Sequence, residues 1–285
     1  MLGLMTLIWS VNFVIGKIAL REFPPLSLTT LRVILSALLL WPVFFLTAAP
    51  GEGARMWAEK KKLVWLAFFG VTLNQGFFVT GLKYTNASHA SIIVSLTPVF
   101  VLIVARLHGL ERFTLFKVVG LCTCMAGVTL LTLSRHPLGT GTPASVVGDA
   151  LIAASSLCFS YYAVLGKEVT ARYSSVSLNT VAFSIGALFL LPVAIPELSH
   201  GSLAGHSLKA WLALAYMAVF ASVIGYLIFY WALRQIAATR VTTLSYIQPV
   251  LVALMGFFWL GERLTLPEIA GAAVILTGVA MTERG

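Results

Sequence analysis

Charge is what this chain has least of. Asp, Glu, Lys and Arg make up 10% of its 285 residues, and apolar and aromatic types make up 59%. Soluble globular domains run at about 25% charged and about 45–50% apolar. A mean hydropathy of +0.95 therefore excludes a chain that folds in water around a single apolar core, and implies a polytopic membrane protein. Cysteine is scarce as well. Cys122, Cys124 and Cys158 all lie inside apolar runs, and helix positions two apart point to different faces, so neither a metal site nor a disulfide framework is expected. Also missing are H-E-x-x-H, G-x-S-x-G, paired aspartates within an apolar run and any evident Ser–His dyad. These are the patterns an intramembrane enzyme would use, so the chain reads as a non-enzyme with no cofactor. Finally, no carboxylate sits in the middle of an apolar run: all ten Asp and Glu fall in connections or at run ends. A buried acidic proton relay is thereby excluded, and any proton coupling would fall to His89, to the substrate or, less directly, to Asp149.

What the chain does have is apolar length. A transmembrane helix needs about 20 mostly apolar residues, and ten segments meet or approach that: 2–20, 27–48, 63–82, 87–107, 114–133, 149–167, 176–195, 208–231, 239–260 and 266–281. The first runs on into Lys17 with no small-residue cleavage pattern after it, so it reads as a span and not as a signal peptide. The connections are too short for a separate soluble domain, which leaves one membrane domain. A net charge of +9 would suit nucleic acid if it were clustered. Instead Lys and Arg scatter over segment ends, so the expected partners are the lipid bilayer and a small-molecule substrate, with no nucleic acid. Twelve of the nineteen Lys and Arg, among them Lys60, Lys61 and Lys62, fall on the side of the N-terminus. By the positive-inside rule both termini are then cytoplasmic, in a plasma membrane and, for a bacterium, the inner one.

The ten segments are two sets of five. Residues 82–128 reappear as 233–279 with a shift of 151, matching at Ala87/Ala238, Pro98/Pro249, Glu111/Glu262, Arg112/Arg263, Gly120/Gly271 and Gly127/Gly278. Upstream, with a shift of 150, Ser10/Ser160, Gly16/Gly166, Lys17/Lys167, Ser27/Ser177 and Pro42/Pro192 coincide. The repeats cover about 1–135 and about 148–285. Because five is odd, the second copy enters the membrane from the opposite side. The expected fold is therefore an all-α polytopic protein of ten transmembrane helices in two inverted five-helix repeats. Inverted repeats are the architecture of alternating-access transporters, with the substrate site near mid-membrane at the repeat interface.

The chain resembles the EamA branch of the drug/metabolite transporter superfamily. The likeness rests on Trp9-Ser10-Val11-Asn12-Phe13 with Gly16-Lys17, Pro24-Pro25, Arg32 early in the second span, Ala87 to Ala90, Pro98 and Glu111. It covers both repeats and implies a central cavity and export of small metabolites such as amino acids or their derivatives.

Shared residues serve the fold that both halves need, whereas residues that break the repeat suit one asymmetric substrate. Arg32 breaks it, since its counterpart is Ala182. An arginine at that depth faces a bundle interior or an aqueous cavity, and its planar fork suits a carboxylate. On this reading Arg32 holds the acid group of an amino-acid-like substrate; the plainer one has it reach the interface or a backbone carbonyl. Asn12, Asn74, Gln75, Tyr246 and Gln248 are mid-span polar residues that either bond helix to helix or line a wet cavity. Tyr162 and Tyr226 either pack or form its amphipathic wall. Pro98 and Pro249 read as architectural hinges, and Glu111 and Glu262 as helix caps or local ion pairs. The glycine pairs bring helices close within the chain, with a homodimer interface as their second use. Nucleotide sugars, sugar phosphates or drugs are the rival substrates. The phosphorylated ones call for at least two cations, and only Lys17 is at hand beside Arg32.

Overall fold

The computed structural model describes residues 1–85, 87–133, 145–200, 205–260 and 266–284, and every regular element among them is helical. Helix α1 (Leu2–Ala19) is followed by α2 (Pro25–Thr47), which opens on a proline at the one position where a missing N–H costs nothing. A short surface helix α3 (Glu52–Ala58) leads into α4 (Lys60–Ala67), which continues through a π-helical stretch, Phe68–Leu73, into α5 (Asn74–Tyr84). Then come α6 (Ala87–Val94), α7 (Thr97–Leu107) and α8 (Leu115–Leu133). The second half repeats the order. Helix α9 (Val146–Thr170) starts on the Ser145 hydroxyl, which accepts from the Gly148 N–H at 3.0 Å. It is followed by α10 (Ser175–His200), then by α11 (Leu208–Tyr216) and α12 (Gly225–Leu233), joined by the π-helical stretch Met217–Ile224. Next are α13 (Ala238–Thr243), a 3-10 turn at Leu244–Tyr246, α14 (Ile247–Leu260) and α15 (Leu266–Arg284).

Among the described residues seven helical segments are long and apolar enough to cross a membrane: Leu2–Ala19, Pro25–Thr47, Lys60–Tyr84, Ala90–Leu107, Val146–Thr170, Ser175–Leu198 and Leu208–Leu233. The other three expected spans are shorter as described. Leu115–Leu130 and Ile269–Thr282 are the apolar parts of α8 and α15, and the ninth expected segment is broken by the 3-10 turn into α13 and α14.

The halves embrace each other reciprocally. Helix α1 packs on α12, and its repeat counterpart α9 packs on α5; α7 lies on α9 as α14 lies on α1; α6 meets α14 as α13 meets α7; α2 and α10 pack on each other. Such exchanged contacts are those of a pseudo-two-fold axis. At its edge α8 and α15 run in close contact. A Cβ on Gly120 would stand 2.9 Å from the Gly278 carbonyl oxygen, and one on Gly127 2.9 Å from that of Gly271. The two glycines of one repeat therefore pack on the two of the other, backbone to backbone and within the chain.

The expected proline kinks take a different form. Pro98 is the second residue of α7, after a break at Ser95 and Leu96, and Pro249 is the third residue of α14, after the 3-10 turn. Each proline therefore sits in the first turn of a restarted helix, where its missing N–H removes little, and the bend is carried by the residues just before it.

Candidate functional site

Between the halves lies a cavity of about 100 Å³, lined by Met5, Thr6, Trp9, Asn12, Phe13, Arg32, Asn74, Gln75, Phe78, Val94, Thr97, Ser155, Ser156, Phe159, Tyr226, Val241, Thr242, Ser245 and Gln248. One water needs only about 10–15 Å³ on this measure, so the space holds far more than a single solvent molecule. The lining is built from counterparts. Met5/Ser155, Thr6/Ser156 and Trp9/Phe159 are related by the 150 shift, and Gln75/Tyr226, Val94/Ser245 and Thr97/Gln248 by the 151 shift. The cavity therefore straddles the axis. It is chemically lopsided, because Asn12, Arg32 and Asn74 line it while their counterparts Tyr162, Ala182 and Gly225 do not.

Arg32 lies seven residues into α2, roughly 10 Å along its axis at about 1.5 Å per residue, and is 4% exposed. Its Nε donates to the Ser222 hydroxyl at 2.7 Å, and the Ser36 hydroxyl one turn on donates to its backbone carbonyl at 2.7 Å. Ser222 belongs to the π-helical stretch. So does Ala221, whose carbonyl accepts from the Trp9 indole at 3.0 Å. Among the described residues no carboxylate lies within ion-pair distance of Arg32, and none of the lining residues is acidic.

Asn74 is fully committed. Its Nδ2 donates to the Ser155 carbonyl and hydroxyl at 3.0 and 3.1 Å, and its Oδ1 accepts from the Tyr226 hydroxyl at 3.1 Å. It thereby ties α5 to α9 and α12 and serves as a wall. Asn12 and Gln248 are uncommitted: Asn12 Oδ1, Gln248 Oε1 and the Ser156 hydroxyl are buried without a hydrogen-bond partner.

Six of the eight polar residues singled out from the sequence thus meet at one cavity: Asn12, Arg32, Asn74, Gln75, Tyr226 and Gln248. Tyr162 and Tyr246 stand outside it. The Tyr162 ring lies on Gly70, where a Cβ would fall 2.0 Å from it, and its backbone carbonyl accepts from the Tyr230 hydroxyl at 2.9 Å. It fills on one side of the axis the room that Asn12 leaves open on the other. Tyr246 is turned toward α8 and α15, among Leu121, Cys124 and Ile275. Lys17 does not line the cavity, and neither proline does. The residues missed include Thr6, Trp9 and Ser156, which line the cavity, and Ser222, which holds Arg32. Thr6 and Ser156 are small hydroxyls at counterpart positions and were readable as a pair, whereas nothing in the sequence links Ser222 to Arg32, 190 positions away.

Glu111 proves to be both cap and ion pair. It accepts from the Thr239 N–H at the start of α13 at 3.1 Å and from Lys117 at 2.7 Å. Burial alone would raise its carboxyl, but the hydrogen bonds from Lys117 and Thr239 outweigh that and hold it below the usual carboxylate range. Glu262 and the His89 side chain lie outside the described residues.

The sequence pattern of the EamA-like transporter family matches residues 1–133 and again 146–284. An uncharacterized transporter of Archaeoglobus fulgidus is 30% identical over 283 residues, covering 99% of this chain and 96% of the relative. The uncharacterized transporter YyaM of Bacillus subtilis is 28% identical over 96% of this chain and 89% of its own. A solved crystal structure, titled only as that of a protein, shares the fold with a TM-score of 0.76. It is 19% identical, with 98% of this chain and 94% of that one covered.

Proposed function

The chain belongs to the EamA-like transporter family, and from that premise we propose that it carries small metabolites bearing one carboxylate, of amino-acid type, through the cavity on its axis. The protein is then an integral membrane transporter and not an enzyme. In the arrangement we propose, ten segments cross the bilayer, the two halves are inverted with both termini cytoplasmic, and rocking of one half against the other exports the substrate by alternating access. Pro98 and Pro249, each behind a break in its span, are the hinges of that motion.

The observation that carries the substrate reading is Arg32. A buried guanidinium without a carboxylate partner is expensive, and here it lines a cavity between the halves with one nitrogen on a neutral hydroxyl. A substrate carboxylate supplies the missing counter-charge through a paired hydrogen bond. Nucleotide sugars fit less well, because several phosphate charges need several cations and Arg32 is the one basic residue among the described residues lining the cavity.

Counterflow of labelled small carboxylates into liposomes, with no imposed ion gradient, tests this. The unmodified protein should exchange at least one of them, and Arg32→Gln, eluting as a folded monodisperse protein, should lose at least tenfold in rate, about 1.4 kcal/mol. Unchanged exchange by the variant would remove Arg32 from the substrate site.

A further inference from the structure

Among the described residues the cavity is lined by one buried cation and no anion, and we infer from this balance that it selects substrates of net charge minus one. An α-hydroxy acid, or another carboxylate whose remaining polar groups are neutral, is then taken ahead of the zwitterionic amino acid of the same skeleton. The inference rests on the proposed role of Arg32 as the carboxylate site and narrows the proposed amino-acid-like substrates to those that carry no free ammonium.

A monocarboxylate entering the cavity brings the charge around Arg32 to zero. A zwitterion brings an ammonium with it. Once its carboxylate is matched to the guanidinium, the ammonium is left as uncompensated charge in a largely apolar space close to a like charge, and both desolvation and Coulomb repulsion oppose that. Among the described residues no lining side chain offers a formal counter-charge, since none is a carboxylate and the partner of Arg32, Ser222, is neutral. What remains uncommitted is neutral as well. Asn12 and Gln248, 5% and 2% exposed, make no side-chain hydrogen bond, and the Ser156 hydroxyl has no partner. The unpartnered amide oxygens and the Ser156 hydroxyl can accept from a substrate O–H group, but they are neutral and give an ammonium no counter-charge. Trp9, Phe13 and Phe78 face the apolar remainder of the substrate.

Three ligands of one skeleton separate the ideas: leucic acid, leucine and leucic amide, titrated calorimetrically into the purified protein in detergent. Leucic acid should bind at least tenfold more tightly than leucine and at least tenfold more tightly than the amide, each factor equivalent to about 1.4 kcal/mol. A ratio of acid to leucine under tenfold, with the amide still weak, overturns the charge-balance inference and leaves Arg32 as the anion site. An amide that binds within tenfold of the acid, or no binding by any of the three at millimolar concentration, overturns both. In Arg32→Gln the gap between acid and amide should close; a gap that persists in folded variant protein places the anion site elsewhere and overturns both as well.

Discussion

Single exchanges between the repeats make a symmetric scaffold into an asymmetric cavity. Where one half has Arg32 the other has Ala182, and where one has Asn12 the other has Tyr162. The second exchange decides where space lies, because the Tyr162 ring is seated directly on the backbone at Gly70. Only glycine tolerates that contact. Gly70→Ala would bring a methyl group to 2.0 Å from the ring, and overpacking of this kind costs about 1–3 kcal/mol. The variant should melt several degrees lower in detergent, and pairing it with Tyr162→Leu should recover part of the loss. Equal losses in the single and double variants would show that ring and glycine are not coupled.

Among elements, the α8–α15 seam shows what holds apolar helices together when lipid is as apolar as they are. Hydrophobic burial supplies little drive there, so close van der Waals approach has to supply it. The approach depends on glycine: a Cβ at Gly278 would lie 2.6 Å from the Cys124 backbone nitrogen. Gly278→Leu should therefore push the helices apart and lower stability by roughly 2 kcal/mol or more, at or above the middle of the range for an overpacked core site. Ala126→Leu, on the exposed face of α8, should leave the unfolding midpoint unchanged and serves as its control. The π-helical stretches are the second device at this scale. One of them presents the Ala221 carbonyl to Trp9 and the Ser222 hydroxyl to Arg32, so a local winding change in α11–α12 fixes two cavity side chains of the other half.

Across the whole molecule, carboxylates clasp one half to the other at both ends. Glu22 accepts from the N–H of Ser207 at 2.6 Å, Glu52 from that of Ser174 at 2.9 Å, Glu111 from that of Thr239 at 3.1 Å and Glu197 from that of Ser27 at 2.8 Å. Each bond lands at or near the start of a helix in the opposite half. For Glu52 burial opposes ionisation but the backbone hydrogen bonds from Ser174 and Ala49 outweigh it, and for Glu22 the hydrogen bonds from Ser207 lead; like Glu111, both carboxyls are held below their ordinary value. Groups whose folded pKa is depressed stabilise above the unfolded value, about 4.3 for Glu, and lose that contribution as pH falls through the folded one. The melting temperature should therefore drop as pH goes from neutral to below about 4. Glu111→Gln should lose roughly 1–3 kcal/mol of stability at neutral pH for a cap and a buried partner lost, so it should melt lower there and show a smaller acid drop. An unchanged acid drop would mean that Glu111 is not one of the clasps.

Residue identities alone carried much of this. Repeated Pro98/Pro249 and Gly120/Gly127 against Gly271/Gly278 marked two copies of one unit, and an unmatched arginine marked the place where the copies part. These features were legible because duplication leaves matches at fixed spacing whatever the surroundings. Which side chains face the axis was not legible: Asn12 and Gln248 point into the cavity, Tyr162 and Tyr246 do not, and Ser222 reaches Arg32 from the other half. In water an amphipathic stripe reveals the buried face of a helix. In a bilayer both faces are apolar, as Leu38 and Phe45, exposed on α2, and Leu28 and Leu40, buried on it, show. With no polarity difference between outside and inside, the rotation of each helix about its axis, and so the membership of the site, was decided by packing between the halves.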